Sequence, residues 1–185
     1  GLQVEGRENI SSIVLGVSAS LGLLEAAAVQ GADAVLVHHG WCWRGEDASI
    51  VWMKYHRVRE LVRTDMNLLA YHLPLDAHST LGNNAQLALK LGLSVHGQSP
   101  TEPLVWFGEH TSNPSIGVFC TQITGALGRA PLLIGNESEP LGRVAWCTGG
   151  AQDYIHIAAQ LGANTYISGE VSERTYHEAR ELGVN

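Results

Sequence analysis

His38 and His39 stand side by side at the end of an apolar run, Ala34-Val35-Leu36-Val37. A second run, Asn67-Leu68-Leu69-Ala70-Tyr71, leads into His72, and Asp76 follows four residues later. Neutral imidazole suits Zn, Fe, Mn or Cu, and a carboxylate can bridge two cations. Adjacent residues of a strand point to opposite faces. The His-His pair is therefore better placed to feed two ions than to chelate one, although the spacing is compatible with either. Two ions roughly 3.5–4 Å apart can activate a bridging water for hydrolysis. Each residue also has a plainer reading. A lone histidine at a strand end is more often structural than a ligand. His72 could orient a ligand rather than bind metal itself. Asp76 could cap a helix or close the turn after Pro74.

These residues need a scaffold that brings strand ends together. Ile13–Val17 and Ala34–Val37 are continuous apolar runs, and Asn67–Tyr71 is a third. Between them lie helical patterns at Leu21–Gln30, closed by Gly31, and at Ser49–Arg63. Strand-helix-strand alternation predicts right-handed βαβ units. Runs without polar alternation predict strands covered on both faces. Ligands of such sheets gather beyond the carboxyl ends of the strands. Further on, helices are expected at Asn83–Leu91, Ile116–Leu127, Ala151–Leu161 and Ser172–Leu182. Strands are expected at Leu104–Phe107, Leu132–Ile134, Arg143–Cys147 and Thr165–Ser168. The stretch Ser94–Ser115 is otherwise irregular.

The order strand, small-residue turn, helix, Gly-Ala-Asp/Asn, strand occurs twice. With a shift of 131, Ala27, Ala28, Gly31 and Ala32 fall on Ala158, Ala159, Gly162 and Ala163. Asp33 falls on Asn164 and His39 on Glu170. This predicts a duplicated βαβ lobe, with Glu170 at the same kind of strand end as the histidine pair.

The 185 residues carry 45% hydrophobic and 16% charged residues, the balance of an ordinary globular domain. A net charge of −7 lacks the basic footprint of a nucleic-acid binder. No apolar run is long enough to span a bilayer. Three separated cysteines, Cys42, Cys120 and Cys147, fit free thiols in a reducing, cytoplasmic setting better than a disulfide framework. The chain opens on Gly1 and closes on Gly-Val-Asn where a new strand is expected, so both ends read as cut.

Three segments together, VLVHHGWCWRGED, LLAYHLPLDAHSTLGNNAQLA and YISGEVSERTYHEARELG, resemble the YbgI proteins, the Nif-three-like dinuclear metal family. The opening GLQVEG is similar to the start of that family as well. The resemblance covers essentially the whole chain. It implies a single Nif-three-like domain over 1–185. Its α/β fold is a pair of intertwined, duplicated lobes, about 1–95 and 96–185, with largely parallel sheets covered by helices. It implies His38, His39 and Asp76 as ligands of two divalent transition-metal ions (Zn, Fe or Mn), and His72 as a supporting residue. The family completes its site with a later His and Glu, expected beyond residue 185. It also implies a homo-oligomer, a hexameric toroid in bacterial relatives. Some relatives are described as type 2 GTP cyclohydrolase I. The expected function is therefore a metal-dependent hydrolase acting on a nucleotide or another small molecule. The competing expectation is a metal-binding toroidal scaffold without turnover.

Other residues are weaker candidates. Trp41 and Trp43 could wall a planar substrate or simply pack in a core. Glu170 and His177 are candidates for support or proton transfer, or for solvated positions on a loop and a helix. Gly149-Gly150, between strand and helix, lacks the rest of a phosphate-binding motif and reads as a tight turn.

Overall fold

The computed structural model describes residues 1–41, 45 and 47–185. The chain divides into two units, Gly1–Leu75 and Asp76–Asn185. In the first, Leu2–Val4 (β1), Ile13–Ser18 (β2), Ala34–His39 (β3) and Asn67–Ala70 (β4) form one sheet, ordered β1-β4-β3-β2. The pairs β2–β3 and β3–β4 are parallel, and the short β1, not foreseen from sequence, adds antiparallel to β4. Helices Leu21–Val29 (α1) and Trp52–Thr64 (α2) supply the crossovers. Their apolar residues Leu24, Ala27 and Leu61 pack with Val35, Val37 and Leu68 of the sheet. Ser20 caps α1 by accepting the Leu23 N–H. Helix α2 starts at Trp52 rather than Ser49, because Val51 is still extended and offers no side-chain cap.

A single helical turn, Leu73–Asp76 (α3), leads out of the first unit. In the second, Asn83–Leu91 (α4) and Ile116–Leu127 (α5) cover one side of a four-stranded sheet. Its strands are Leu93–Gln98 (β5), Trp106–His110 (β6), Arg143–Cys147 (β7) and Thr165–Ser168 (β8), in the order β5-β6-β7-β8. Ala88, Leu91, Phe119 and Ile123 surround Val144 and Trp146 on that side. On the other side Ile155–Gln160 (α6) sets Ala158 against Ala145 and Cys147. Helix Glu173–Leu182 (α7) adds Ala179 beside Ile155. The protein is thus mixed α/β, with two four-stranded sheets flanked by helices, as expected. Only β7–β8 is parallel in the second sheet, where β5–β6 and β6–β7 are antiparallel. The second unit also starts at Asp76, ahead of the lobe boundary expected near 95, because α4 packs with α5 and β5.

The repeat is present in the strand register itself. In the first unit Ile13 pairs with Ala34 and Leu15 with Leu36. Residues 131 further on pair the same way, Val144 with Thr165 and Trp146 with Ile167. Gly31 and Gly162 both end the intervening helix at positive φ, 69° and 70°, where a side chain would be strained. Ser12 donates its N–H to the Asp33 carboxylate, and Arg143 donates its N–H to the Asn164 side chain. Asn67 and Asn185 each donate a side-chain N–H to the carbonyl of that Asp or Asn. Leu132–Ile134, expected as a strand, is irregular. It joins no ladder among the described residues, so the apolar run alone does not make it a strand.

Asp33 is the anchor of the first unit. One carboxylate oxygen accepts the N–H groups of Ser11 and Ser12 at 2.9 Å and both their hydroxyls. The other accepts from Arg7 at 2.8 Å. These hydrogen bonds, led by the Ser11 N–H, hold the carboxyl well below the usual carboxylate range. A depressed folded-state pKa gives stability above the unfolded value of 3.8 and loses it as pH falls below that value. Asp33→Asn is therefore expected to lower the thermal midpoint at pH 7 and to lose less than the parent on acidification. Midpoints measured from pH 7 to pH 3 should converge. Parallel curves would remove Asp33 from this role.

Candidate metal centre

Parallel pairing carries the carboxyl ends of β2, β3 and β4 to one side of the first unit. Ser18 pairs with His39, and Val37 with Ala70. His72 follows just past the end of β4. The rings of His38, His39 and His72 come together, with centroids 4.7, 4.8 and 5.2 Å apart. One nitrogen from each lies within 4.8 Å of the others, and all three side chains are half-buried. This is a group that could hold a metal ion.

Two of the rings are held by hydrogen bonds. His38 Nδ1 lies 3.0 Å from the Tyr71 carbonyl oxygen. A carbonyl only accepts, so Nδ1 carries the proton and Nε2 is the nitrogen with a lone pair to offer an ion. His39 Nδ1 lies 3.2 Å from the Ser18 hydroxyl. Ser18 was not singled out in the sequence, although it too ends a parallel strand. The strand-end rule that selected the histidines would have found it.

The remaining candidates lie elsewhere. Asp76, half-buried, opens the second unit and accepts a 2.7 Å hydrogen bond from Asn83. Glu170 follows β8 and is exposed, its carboxylate facing Gly150. His177 is an exposed residue of α7, 3.3 Å from Glu173 one turn away. Trp41 is buried in the core of the first unit, the packing alternative that the sequence left open. Its indole N–H donates to the Ala19 carbonyl at 2.7 Å. Trp43 and Cys42 lie outside the described residues. Cys147 is a buried free thiol, its pKa pushed up to about 11 by burial and then by Glu102 and Asp76. A thiol kept protonated is a poor metal ligand.

Comparison with known proteins agrees with this fold. The family described as Duf34/NIF3 (NGG1p interacting factor 3) matches residues 1–185. A protein of Pseudomonas aeruginosa named GTP cyclohydrolase 1 type 2 homolog is 49% identical over 190 residues. One of the same name from Escherichia coli strain K12 is 52% identical over 187 residues. In both cases the whole chain is matched to 74% of the relative. A solved structure described as protein ybgI, unknown function, superposes with a TM-score of 0.90 at 52% identity. It too is covered to 74%, by the whole of this chain. Reduced HcgD from Methanocaldococcus jannaschii shares the fold, with a TM-score of 0.87 at 23% identity and the same coverage. The chain belongs to the Duf34/NIF3 family. Among the described residues no helix is long and apolar enough to cross a membrane.

Two substitutions separate scaffold from site. Trp41→Ala is expected to cost about 3–5 kcal/mol of stability, the usual range for a buried aromatic. His39→Ala is expected to keep the thermal midpoint of the metal-free protein within a few degrees, yet to lower zinc bound after dialysis, as read by elemental analysis. Equal zinc in parent and His39→Ala would remove the histidine cluster as a metal site.

Proposed function

We propose that this chain carries the metal centre of a hydrolase that acts on a nucleotide, as the name of its relatives suggests. The observation that carries the reading is the convergence of His38, His39 and His72. Three neutral imidazoles are a donor set for a divalent transition metal rather than for Mg or Ca. Their spread also bears on the number of ions. Two imidazole nitrogens on one zinc can be at most about 4.2 Å apart, given bonds of about 2.1 Å. A cluster spread over as much as 4.8 Å suits two ions roughly 3.5–4 Å apart, or one ion after a small rotation of a ring. Asp76, four residues along the chain from His72, is proposed as the carboxylate ligand.

A bound divalent ion supplies a nucleophile at neutral pH by lowering the pKa of its water. The chain's own residues do the rest. The Tyr71 carbonyl keeps the His38 proton on Nδ1, so that Nε2 keeps its lone pair for the ion. Ser18 holds the His39 ring. Assembly into a homo-oligomeric ring is proposed on the family resemblance, and light scattering reads it directly.

The test is hydrolysis. Protein loaded with Zn, Fe or Mn is incubated with a panel of nucleoside triphosphates, and opening of the guanine ring is followed by its ultraviolet absorbance. Turnover that falls at least about a hundredfold in His39→Ala is the expected result, the size of effect seen when a group that activates the nucleophile is removed. Tight metal binding without turnover on any nucleotide or phosphoester would instead mark a metal-binding scaffold.

A further inference from the structure

Asn83 and Asn84 open α4, and the two neighbouring side chains do different things. Asn84 is 1% exposed and fully engaged. Its side-chain N–H donates to the Leu104 carbonyl at 2.8 Å, and its side-chain oxygen accepts the Thr148 N–H at 2.9 Å. Its own carbonyl accepts the Trp146 indole N–H at 3.1 Å. These bonds tie the first turn of α4 to the carboxyl end of β7 and to the loop before β6. Asn83 therefore stands on an immobilised backbone. Its amide donates to one oxygen of the Asp76 carboxylate at 2.7 Å, across seven residues of chain. Only the NH₂ end of an amide can donate to a carboxylate, so the orientation of the amide follows from the contact.

We propose that Asn83 is a positioning residue for Asp76, holding its carboxylate in the orientation that a divalent metal requires. This rests on the reading of Asp76 as a ligand. An aspartate leaving a single helical turn has two free torsions, and ordering them opposes binding unless the protein orders them beforehand. A charge-assisted hydrogen bond to one oxygen does that and directs the other oxygen's lone pairs. Asn84 supplies the rigidity, and Asn83 passes it to the carboxylate. Hydrogen-bond partners of this kind typically change metal affinity by about 10–100-fold when removed.

The experiment measures Zn²⁺ affinity by competition with a chromophoric chelator, together with the thermal midpoint of the metal-free protein. Asn83→Ala and Asn83→Leu both remove the donor, and the second keeps the side chain's approximate size. Each is expected to weaken Zn²⁺ binding about tenfold or more, with the metal-free midpoint moved by no more than about 2 °C. Asn83→Ala carries the test by itself if the leucine variant fails to fold. Asp76→Ala is the control. If Asp76→Ala binds Zn²⁺ like the parent, the reading of Asp76 as a ligand fails. If Asp76→Ala loses affinity while the Asn83 variants keep it, the positioning role of Asn83 is overturned. A fall in affinity matched by a large fall in the metal-free midpoint would also overturn it, since Asn83 would then support the fold rather than the carboxylate.

Discussion

Everything in the first unit depends on strand register, and register is set at the amino end by one buried carboxylate. Asp33 gathers the N–H and hydroxyl groups of Ser11 and Ser12 just before β2, and its own carbonyl accepts the Asn67 N–H where β4 begins. Three strands are thereby pinned at one end. The chain then needs the same number of residues, five, to run from Asp33 to His38 and from Asn67 to His72. A slip of one residue would turn each imidazole to the opposite face of the sheet. The chemistry at one end is thus held in line by hydrogen bonding at the other, about five residues and roughly 16 Å of extended chain away.

This arrangement also separates stability from reactivity. Asp33 and Asn67, which fix the strands, are buried and hydrogen-bonded, whereas the histidines are half-buried at the opposite ends. The same division recurs in the second unit. Asn84 is buried and its polar groups are engaged with Leu104, Thr148 and Trp146, while Asn83 beside it reaches the carboxylate of Asp76.

Much of this was legible in the sequence, for physical reasons that differ by element. The apolar runs of β3 and β4 could be read because parallel strands covered on both faces need continuous apolar residues, whereas β2, equally apolar, is an edge strand whose Ile13, Leu15 and Val17 are exposed. The histidines followed from where those runs stop. β5 was missed because Leu93–Gln98 mixes Leu and Val with Ser, His, Gly and Gln, and its burial alternates irregularly. Leu132–Ile134 was expected as a strand because its composition suits one, yet a strand is made by its neighbour. The proximity of His72 to both other rings could not be read from spacing alone, since it depends on how the chain turns after β4. Asn83 went unnoticed because a single polar residue carries no pattern. It stands out only once its hydrogen-bond distance to Asp76 is known.

The β2–β3 and β7–β8 pairs share strand offsets, helix-ending glycines and Asn-to-carbonyl bonds. The same backbone pattern nevertheless ends in different side chains. Where the first keeps Ser18, His38 and His39, the second has Gly149, Gly169 and Glu170. Gly169 packs its backbone against Gly149 so closely that any side chain there would collide. One strand pair ends in nitrogen donors and the other in close-packed glycines and an acid, so one backbone plan presents a ligand set at one place and a tight turn at the other.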